Sequence, residues 1–254
     1  MSIDLRRLEE ISQNASRPDR GLMIDGWSVG LSPGLAKRSR CINAFYPSSR
    51  SIATNLAEAE HAFAAAGLPC VFRVTPFVAD ATLDAQLEAL GYVKYDAADV
   101  QVLDLDELDV RHVRPVAAQF CVEPNLHTAA HVVAKMRGDT EAETAGLAER
   151  WRLSAAAVLP SFAFDANGER VARSVVIRED DHVGIFEVGT DAAHLNRGYA
   201  TALLAHQLTQ AKASGARVAY LQVRSDNPAR RIYERLGFRT RYGYWYRALP
   251  ADAD

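Results

Sequence analysis

The hydrophobic positions of this chain switch between helical and strand spacing. In the first half, helical spacing predicts helices over residues 52–66 and 83–90, each followed by a glycine, at Gly67 and Gly91. Residues 1 to about 25 are expected to form a short amphipathic helix followed by a polar connector. Strand-like runs are broken by Gly and Pro within residues 26–45 and follow more clearly at 70–76 and 92–105. The first half is therefore expected to mix helices with strands.

The second half repeats this arrangement. A helix over 199–213 precedes Gly215, a strand follows at 217–223, and a short helix over 228–236 precedes Gly237. Ahead of them, residues 161–178 predict a β-hairpin, residues 125–157 a helical region and residues 241–246 a last, aromatic strand. The glycine pairs are 24 residues apart in the first half and 22 in the second. We expect an α/β (α+β) protein built from two similar units, residues 1–110 and 111–254.

Composition narrows the class of protein. Of 254 residues, 48% are hydrophobic and 24% charged, and the net charge is -3, which is typical of a globular enzyme or binding protein rather than a nucleic-acid-binding one. No apolar run is long enough to cross a membrane and the first residues lack an apolar signal core, so a cytoplasmic location is expected. Cys41, Cys70 and Cys121 are too scattered for a metal site and are predicted to be buried thiols.

The chemistry is concentrated at the start of the 199–213 helix. The amides of a first helical turn have no partner within the helix and lie at the positive end of its dipole, so they bind anions. Gly198 permits the backbone turn, and the small Ala200 allows a phosphate to approach closely. In the first half, Arg50 stands where this glycine is expected. Only the second copy is therefore predicted to hold a phosphorylated cofactor.

Residues 160–247 resemble the GCN5-related N-acetyltransferases (GNAT family). The family's Arg/Gln-x-x-Gly-x-Gly/Ala signature stands here as residues 195–200, with Leu195 in place of the first Arg/Gln. Its preceding strand end corresponds to residues 190–192, and its later motif matches Asn227, Ala229, Tyr233, Gly237 and Phe238. The resemblance implies a mixed central sheet flanked by helices, of the acyl-CoA N-acyltransferase type, in two tandem units of which the N-terminal one is degenerate.

The resemblance also implies a set of residues that bind acetyl-CoA. The strand would pair with the pantetheine arm, the loop and first helical turn would hold the pyrophosphate, and Asn227 would contact the arm or simply cap the next helix. These residues are Val188, Gly189, Thr190, Leu195, Asn196, Arg197, Gly198, Tyr199, Ala200, Thr201 and Asn227. Leu195 is expected to weaken the cofactor site without abolishing it, because main-chain amides do most of the binding. No metal is expected.

Two residues are assigned to catalysis. Tyr233 would protonate the departing CoA thiolate, although its helical spacing also suits a core aromatic. Glu187 would accept the proton of the amine, and His182 and His194 are the lesser candidates. In the first half Leu87 and Ala81 stand where Tyr233 and Asn227 are expected, so that copy is expected to be inactive.

These residues predict an N-acetyltransferase that moves an acetyl group directly from acetyl-CoA to a primary amine on a small molecule or peptide. The acidic net charge favours a cationic acceptor, and neither nucleic acid nor a membrane is an expected partner. A homodimer is left open. The alternative is a non-catalytic acyl-CoA sensor or scaffold, which Leu195 favours and Tyr233 opposes.

Overall fold

The computed structural model describes residues 3–33 and 36–253, and the chain folds as two compact units. Unit 1 comprises the N-terminal segment as far as Ala15 together with Val100–Arg241. Unit 2 comprises Ser16–Asp99 and the C-terminal segment from Tyr242. The division falls inside two strands, β5 (Val93–Asp104) and β11 (Arg239–Ala248).

Unit 1 is a mixed sheet with helices. Its helices are α1 (Leu5–Ala15), α4 (Leu126–Arg137), α5 (Glu141–Leu153), α6 (Tyr199–Ala213) and α7 (Arg230–Arg235). Its strands are β6 (Ala118–Val122), β7 (Ala157–Asp165), β8 (Arg170–Glu179), β9 (His182–Thr190) and β10 (Val218–Arg224), with the end of β5. The strand order is β5-β10-β9-β8-β7-β6. The β9/β10 pair is parallel, and the pairs from β9 to β6 are antiparallel.

Two apolar layers cover the sheet of unit 1. On one face, α6 packs through Leu204 and Leu208 against strand residues that include Ile185 and Leu221. On the other, α4 and α5 pack through residues such as Val133 and Trp151 against β7 and β8. Each of these helices presents its apolar positions at helical spacing, so burial of one stripe fixes its orientation on the sheet.

Unit 2 also combines a mixed sheet with helices. It contains β1 (Gly21–Ile24), β2 (Trp27–Gly30), β3 (Ile42–Ala44), α2 (Ile52–Ala65), β4 (Phe72–Val74) and α3 (Leu83–Ala89). The strands lie in the order β1-β2-β3-β4-β11, and β3 and β4 are parallel. Trp27, Phe72 and Tyr92 pack edge to face at the centre of its core.

The predicted fold class is confirmed, and so are the principal helices, within a residue or two at their ends. The prediction of a polar connector is wrong for residues 21–24, which form β1. The edge strand β6 was not predicted. The prediction of three buried thiols is wrong for Cys121, which is exposed on β6, while Cys41 is buried and Cys70 is half-buried.

Candidate active site

An opening between two parallel strands lies at the centre of unit 1. The pairing of β9 with β10 runs from His182/Val218 to Ile185/Leu221. Both strands continue further, β9 to Thr190 and β10 to Arg224. Beyond Ile185 the edge of β9 that faces β10 is outside this pairing, so its backbone groups are available to an extended ligand.

A β-bulge shapes the free part of β9. Val175 pairs with Phe186 and Arg173 pairs with Gly189, so Glu187 and Val188 both lie opposite Ser174. Glu187 has a φ of 53°, in the left-handed region that non-glycine residues rarely adopt. A bulge bends the strand and redirects its side chains. This places Glu187, Val188, Gly189 and Thr190 together at the opening.

Glu187 is held by an arginine from α4. Arg137, the last residue of that helix, donates from Nη1 to Glu187 Oε2 at 2.8 Å and from Nε to both carboxylate oxygens of Asp139 at 2.9 and 3.0 Å. The Asp139 side chain is only 3% exposed. Burial lowers the pKa of Arg137, but the bonds to Asp139 and Glu187 outweigh it and raise the pKa overall. The sequence predicts Glu187 as a site residue but indicates neither Arg137 nor Asp139.

The loop before α6 presents backbone amides. Gly198 is the N-cap residue, with a φ of 89°, and Asn196 is also left-handed, with a φ of 61°. The amides of Tyr199, Ala200 and Thr201 stand in the first helical turn, so they have no intrahelical partner and lie at the positive end of the dipole. Gly198 has no side chain that could cap them. Left-handed residues in such a loop turn successive N–H groups toward one side, which forms a concave anion site.

The remaining loop residues differ in exposure. Leu195 is 56% exposed, and Asn196 and Arg197 are exposed as well. Tyr199 and Ala200 are partly buried against a small cluster around Leu203. The exposed side of this loop is therefore free for a ligand, while its inner side is anchored to the sheet.

Asn227 follows the end of β10 and caps the next turn. Its Oδ1 accepts a hydrogen bond from the amide of Ala229 at 2.8 Å. This contact closes a turn ahead of α7, whose N-cap is Ala229, so the prediction that Asn227 caps that helix is wrong. The side-chain amide nitrogen is the atom left for a ligand, and the residue is exposed.

Tyr233 lies in α7 and faces the interior of unit 1. It is 9% exposed and belongs to a core cluster with Ile185 and Val223, against which Val188 packs. The fold thus brings Tyr233 close to the strands that border the opening. Burial raises the pKa of its hydroxyl, so the phenol stays protonated at neutral pH and is able to donate a proton.

The two histidines near β9 have other partners. His182 begins the strand, at the end away from the opening, beside Asp181. His194 Nδ1 lies 3.3 Å from Asp191 Oδ1. Asp165, Glu169 and His194 place potential ligand atoms within 4.8 Å of one another, as a bound cation requires, but Asp165 already accepts bonds from the amides of Asn167 and Glu169 in the hairpin turn.

The corresponding loop of unit 2 is occupied by its own chain. The carboxylate of Asp25, in the β1–β2 turn, accepts bonds from the amide of Ser49 at 2.9 Å and from that of Arg50 at 2.8 Å. Ser51 caps α2 by accepting from the amide of Thr54. These amides, which precede or begin a helix as those of α6 do, therefore bind groups of the protein itself.

None of the helices that the structure describes is long and apolar enough to span a membrane. Residues 126–238 match the family model described as "Acetyltransferase (GNAT) family". No curated protein matches the chain in sequence.

The fold is similar to that of several solved structures. A GCN5-related N-acetyltransferase from Kribbella flavida is 19% identical, with a TM-score of 0.71 over 98% of this chain and 96% of that chain. A functionally unknown conserved protein from Staphylococcus epidermidis is 15% identical, with a TM-score of 0.61 over 89% and 91%. A tandem GNAT protein from the clavulanic acid biosynthesis pathway is 16% identical, with a TM-score of 0.60 over 81% and 73%. These likenesses show the fold.

Proposed function

We propose that this protein, whose residues 126–238 match the GNAT acetyltransferase family, transfers the acetyl group of acetyl-CoA to a primary amine. The observation that carries the proposal is the opening between β9 and β10. It combines a strand edge outside the sheet pairing with a buried tyrosine in the adjoining core cluster. A thioester held on that edge would lie between an acid and a carboxylate.

Acetyl-CoA would bind along β9 and the loop before α6. The pantetheine arm would pair with the backbone of Val188, Gly189 and Thr190 as an added strand does. The pyrophosphate would accept from the amides of residues 195–201, where Gly198 opens the backbone. Leu195 contributes only its amide, and Asn227 would donate from Nδ2 to the arm. Most of the affinity would then come from main-chain groups.

The reaction would proceed by direct attack. The amine nitrogen attacks the thioester carbonyl carbon, the carbon–sulfur bond breaks, and the products are an amide and CoA. Tyr233 donates its phenolic proton to the departing thiolate sulfur, and the nitrogen gives up one proton to balance it. Arg137 bonds to Oε2 of Glu187, which leaves Oε1 to accept that proton, directly or through water.

The N-terminal part is proposed to be a degenerate unit, residues 1–110, beside a catalytic unit, residues 111–254. Two observations support the lack of catalysis in the first. Asp25 occupies the amides that would receive a pyrophosphate, and Leu87, fully buried in the core of unit 2, stands in place of the tyrosine.

The experiment is to compare wild type with Tyr233→Phe in thiol release from acetyl-CoA over a panel of amines. Loss of a general acid lowers kcat by about 100-fold or more, while calorimetry should give a similar Kd for CoA. Tyr92→Phe is the matched control, because it removes another phenolic hydroxyl, bonded to Glu60 in unit 2, and should leave kcat unchanged.

Equal turnover by Tyr233→Phe and wild type would reject the assigned acid. Binding of CoA by the wild type without turnover on any amine would favour the non-catalytic sensor, since Leu195 already departs from the family signature.

A further inference from the structure

One arginine beside the proposed donor strand has no hydrogen-bond or ion-pair partner among the residues that the structure describes. Arg173 lies on β8 directly opposite Gly189 of β9. A Cβ on Gly189 would stand 2.6 Å from Arg173 Nη1 and 2.7 Å from its Cζ. The guanidinium therefore lies against the backbone of β9 at the opening, in space that exists because residue 189 is glycine.

Arg173 differs from the nearby Arg137 in that no carboxylate of the described residues is bonded to its guanidinium. Arg137 bonds to Asp139 and Glu187. Arg173 forms no hydrogen bond or ion pair with any residue that the structure describes, and its Nε is buried without an acceptor. Burial lowers the pKa of Arg173, and the field of Glu187 offsets part of this effect. Glu187 is thus close enough to Arg173 to raise its pKa, but it is already bonded to Arg137.

A partly buried cation without an acceptor is unfavourable for folding. Such a cost is common at sites where a ligand supplies the missing partner. The guanidinium fork matches a carboxylate in geometry, because two parallel N–H groups can bond to its two oxygens. The position beside Gly189 is two residues along β9 from Glu187, so a short molecule reaches both groups.

We propose that Arg173 binds a carboxylate on the acceptor, and that the acceptor is therefore a small amine carrying a carboxylate, such as an amino acid. This inference rests on the proposed acetyl transfer and names its substrate class. In the bound complex the carboxylate lies on Arg173 and the amine points toward the thioester and Glu187. The net charge of the whole chain favours a cationic acceptor. However, Arg173 lies at the opening, so its interaction with the acceptor is stronger than that of charges spread over the surface, which are distant and screened by salt.

The test uses the twenty L-amino acids and the corresponding amino-acid amides as acceptors for acetyl-CoA. The free acids should be acetylated with a kcat/KM at least 10-fold above that of their amides. In Arg173→Gln, kcat/KM for the best acid should fall by about 10- to 100-fold, the range expected for loss of a charged hydrogen bond. The amides and the Kd for CoA should change little.

Arg178→Gln is the matched control. It removes the same charge from the same strand, but Arg178 bonds to Ser214, so the preference for acids should persist. A second measurement does not need turnover. With CoA present, the best-binding amino acid should raise the thermal midpoint of the wild type and not that of Arg173→Gln, whose own midpoint without ligand should equal or exceed that of the wild type.

Three outcomes overturn the inference. They are equal use of acids and amides, an unchanged acid preference in Arg173→Gln, and a loss of CoA affinity in that variant, which would assign Arg173 to the donor. If the protein acetylates only amines that lack a carboxylate, the proposed acceptor class is rejected but acetyl transfer itself is not. Absence of both CoA binding and thiol release would reject the proposed function itself.

Discussion

Arg137→Met would remove the cation that joins the end of α4 to β9. The substitution keeps most of the apolar stem but deprives Asp139 and Glu187 of their bonded partner. Their side chains are 3% and 24% exposed, and that of Arg137 is 18% exposed. Breaking a buried ion pair on one side costs about 3–5 kcal/mol. Because Glu187 retains some contact with water, we expect about 3 kcal/mol, the lower end of that range.

The assay is urea denaturation followed by tryptophan fluorescence. Trp151, on α5 and 5% exposed, reports on unit 1. Arg152→Met is the matched control: Arg152 pairs with Glu149 on the surface of α5, with side chains 65% and 48% exposed, and its loss should not move the transition measurably.

A second substitution separates loss of packing from an uncompensated charge. Asp139→Asn, added to Arg137→Met, removes a carboxylate that has lost its partner and should restore part of the stability. If Arg137→Met unfolds at the same urea concentration as Arg152→Met, or if Asp139→Asn only adds to the damage, then the three residues are not the coupled group described here.

Two further predictions concern the helix N-termini. Bonds from the Ser49 and Arg50 amides lower the pKa of Asp25. Its contribution to stability is therefore present above the unfolded pKa of about 3.9 and is lost as the pH falls toward the folded pKa. Asp25→Asn should flatten this acid dependence and speed hydrogen exchange at the Ser49 and Arg50 amides, whereas an unchanged pH profile would contradict the role given to Asp25. Gly198→Glu should abolish CoA binding in calorimetry, because it adds bulk and negative charge at the anion site and a strained φ of 89°. Gly67→Glu is the control for strain alone, since Gly67 follows α2 with a φ of 67° and a Cβ there would meet no neighbour.

Local patterns predicted the elements that build the candidate site. Gly215 and Gly237 marked where α6 and α7 end, because a left-handed residue after a helix favours glycine. The apolar spacing of residues 199–213 predicted α6 with the bounds that the structure gives. The loop before α6 was also predicted, because a glycine directly before a helical pattern is a signal that lies within a few neighbouring residues.

Features that depend on distant residues were not predicted. The bond from Arg137 to Glu187 joins positions 50 apart in the chain, and the position of Arg173 against Gly189 depends on the register of β8 with β9. Neither is visible in local spacing. The edge strand β6 was not predicted for a different reason. Its residues are mostly exposed, so the alternation of apolar and polar residues that marks a half-buried strand is missing.

If the opening of unit 1 binds acetyl-CoA and transfers its acetyl group, the wild-type protein should release thiol from acetyl-CoA in the presence of a suitable amine. The most direct measurement is thiol release across a mixed panel of amines, with calorimetric titration of CoA in parallel. We predict that one CoA binds per chain, because Asp25 occupies the amides of unit 2, and that one thiol is released for each amide formed. Failure to bind CoA at all would contradict it.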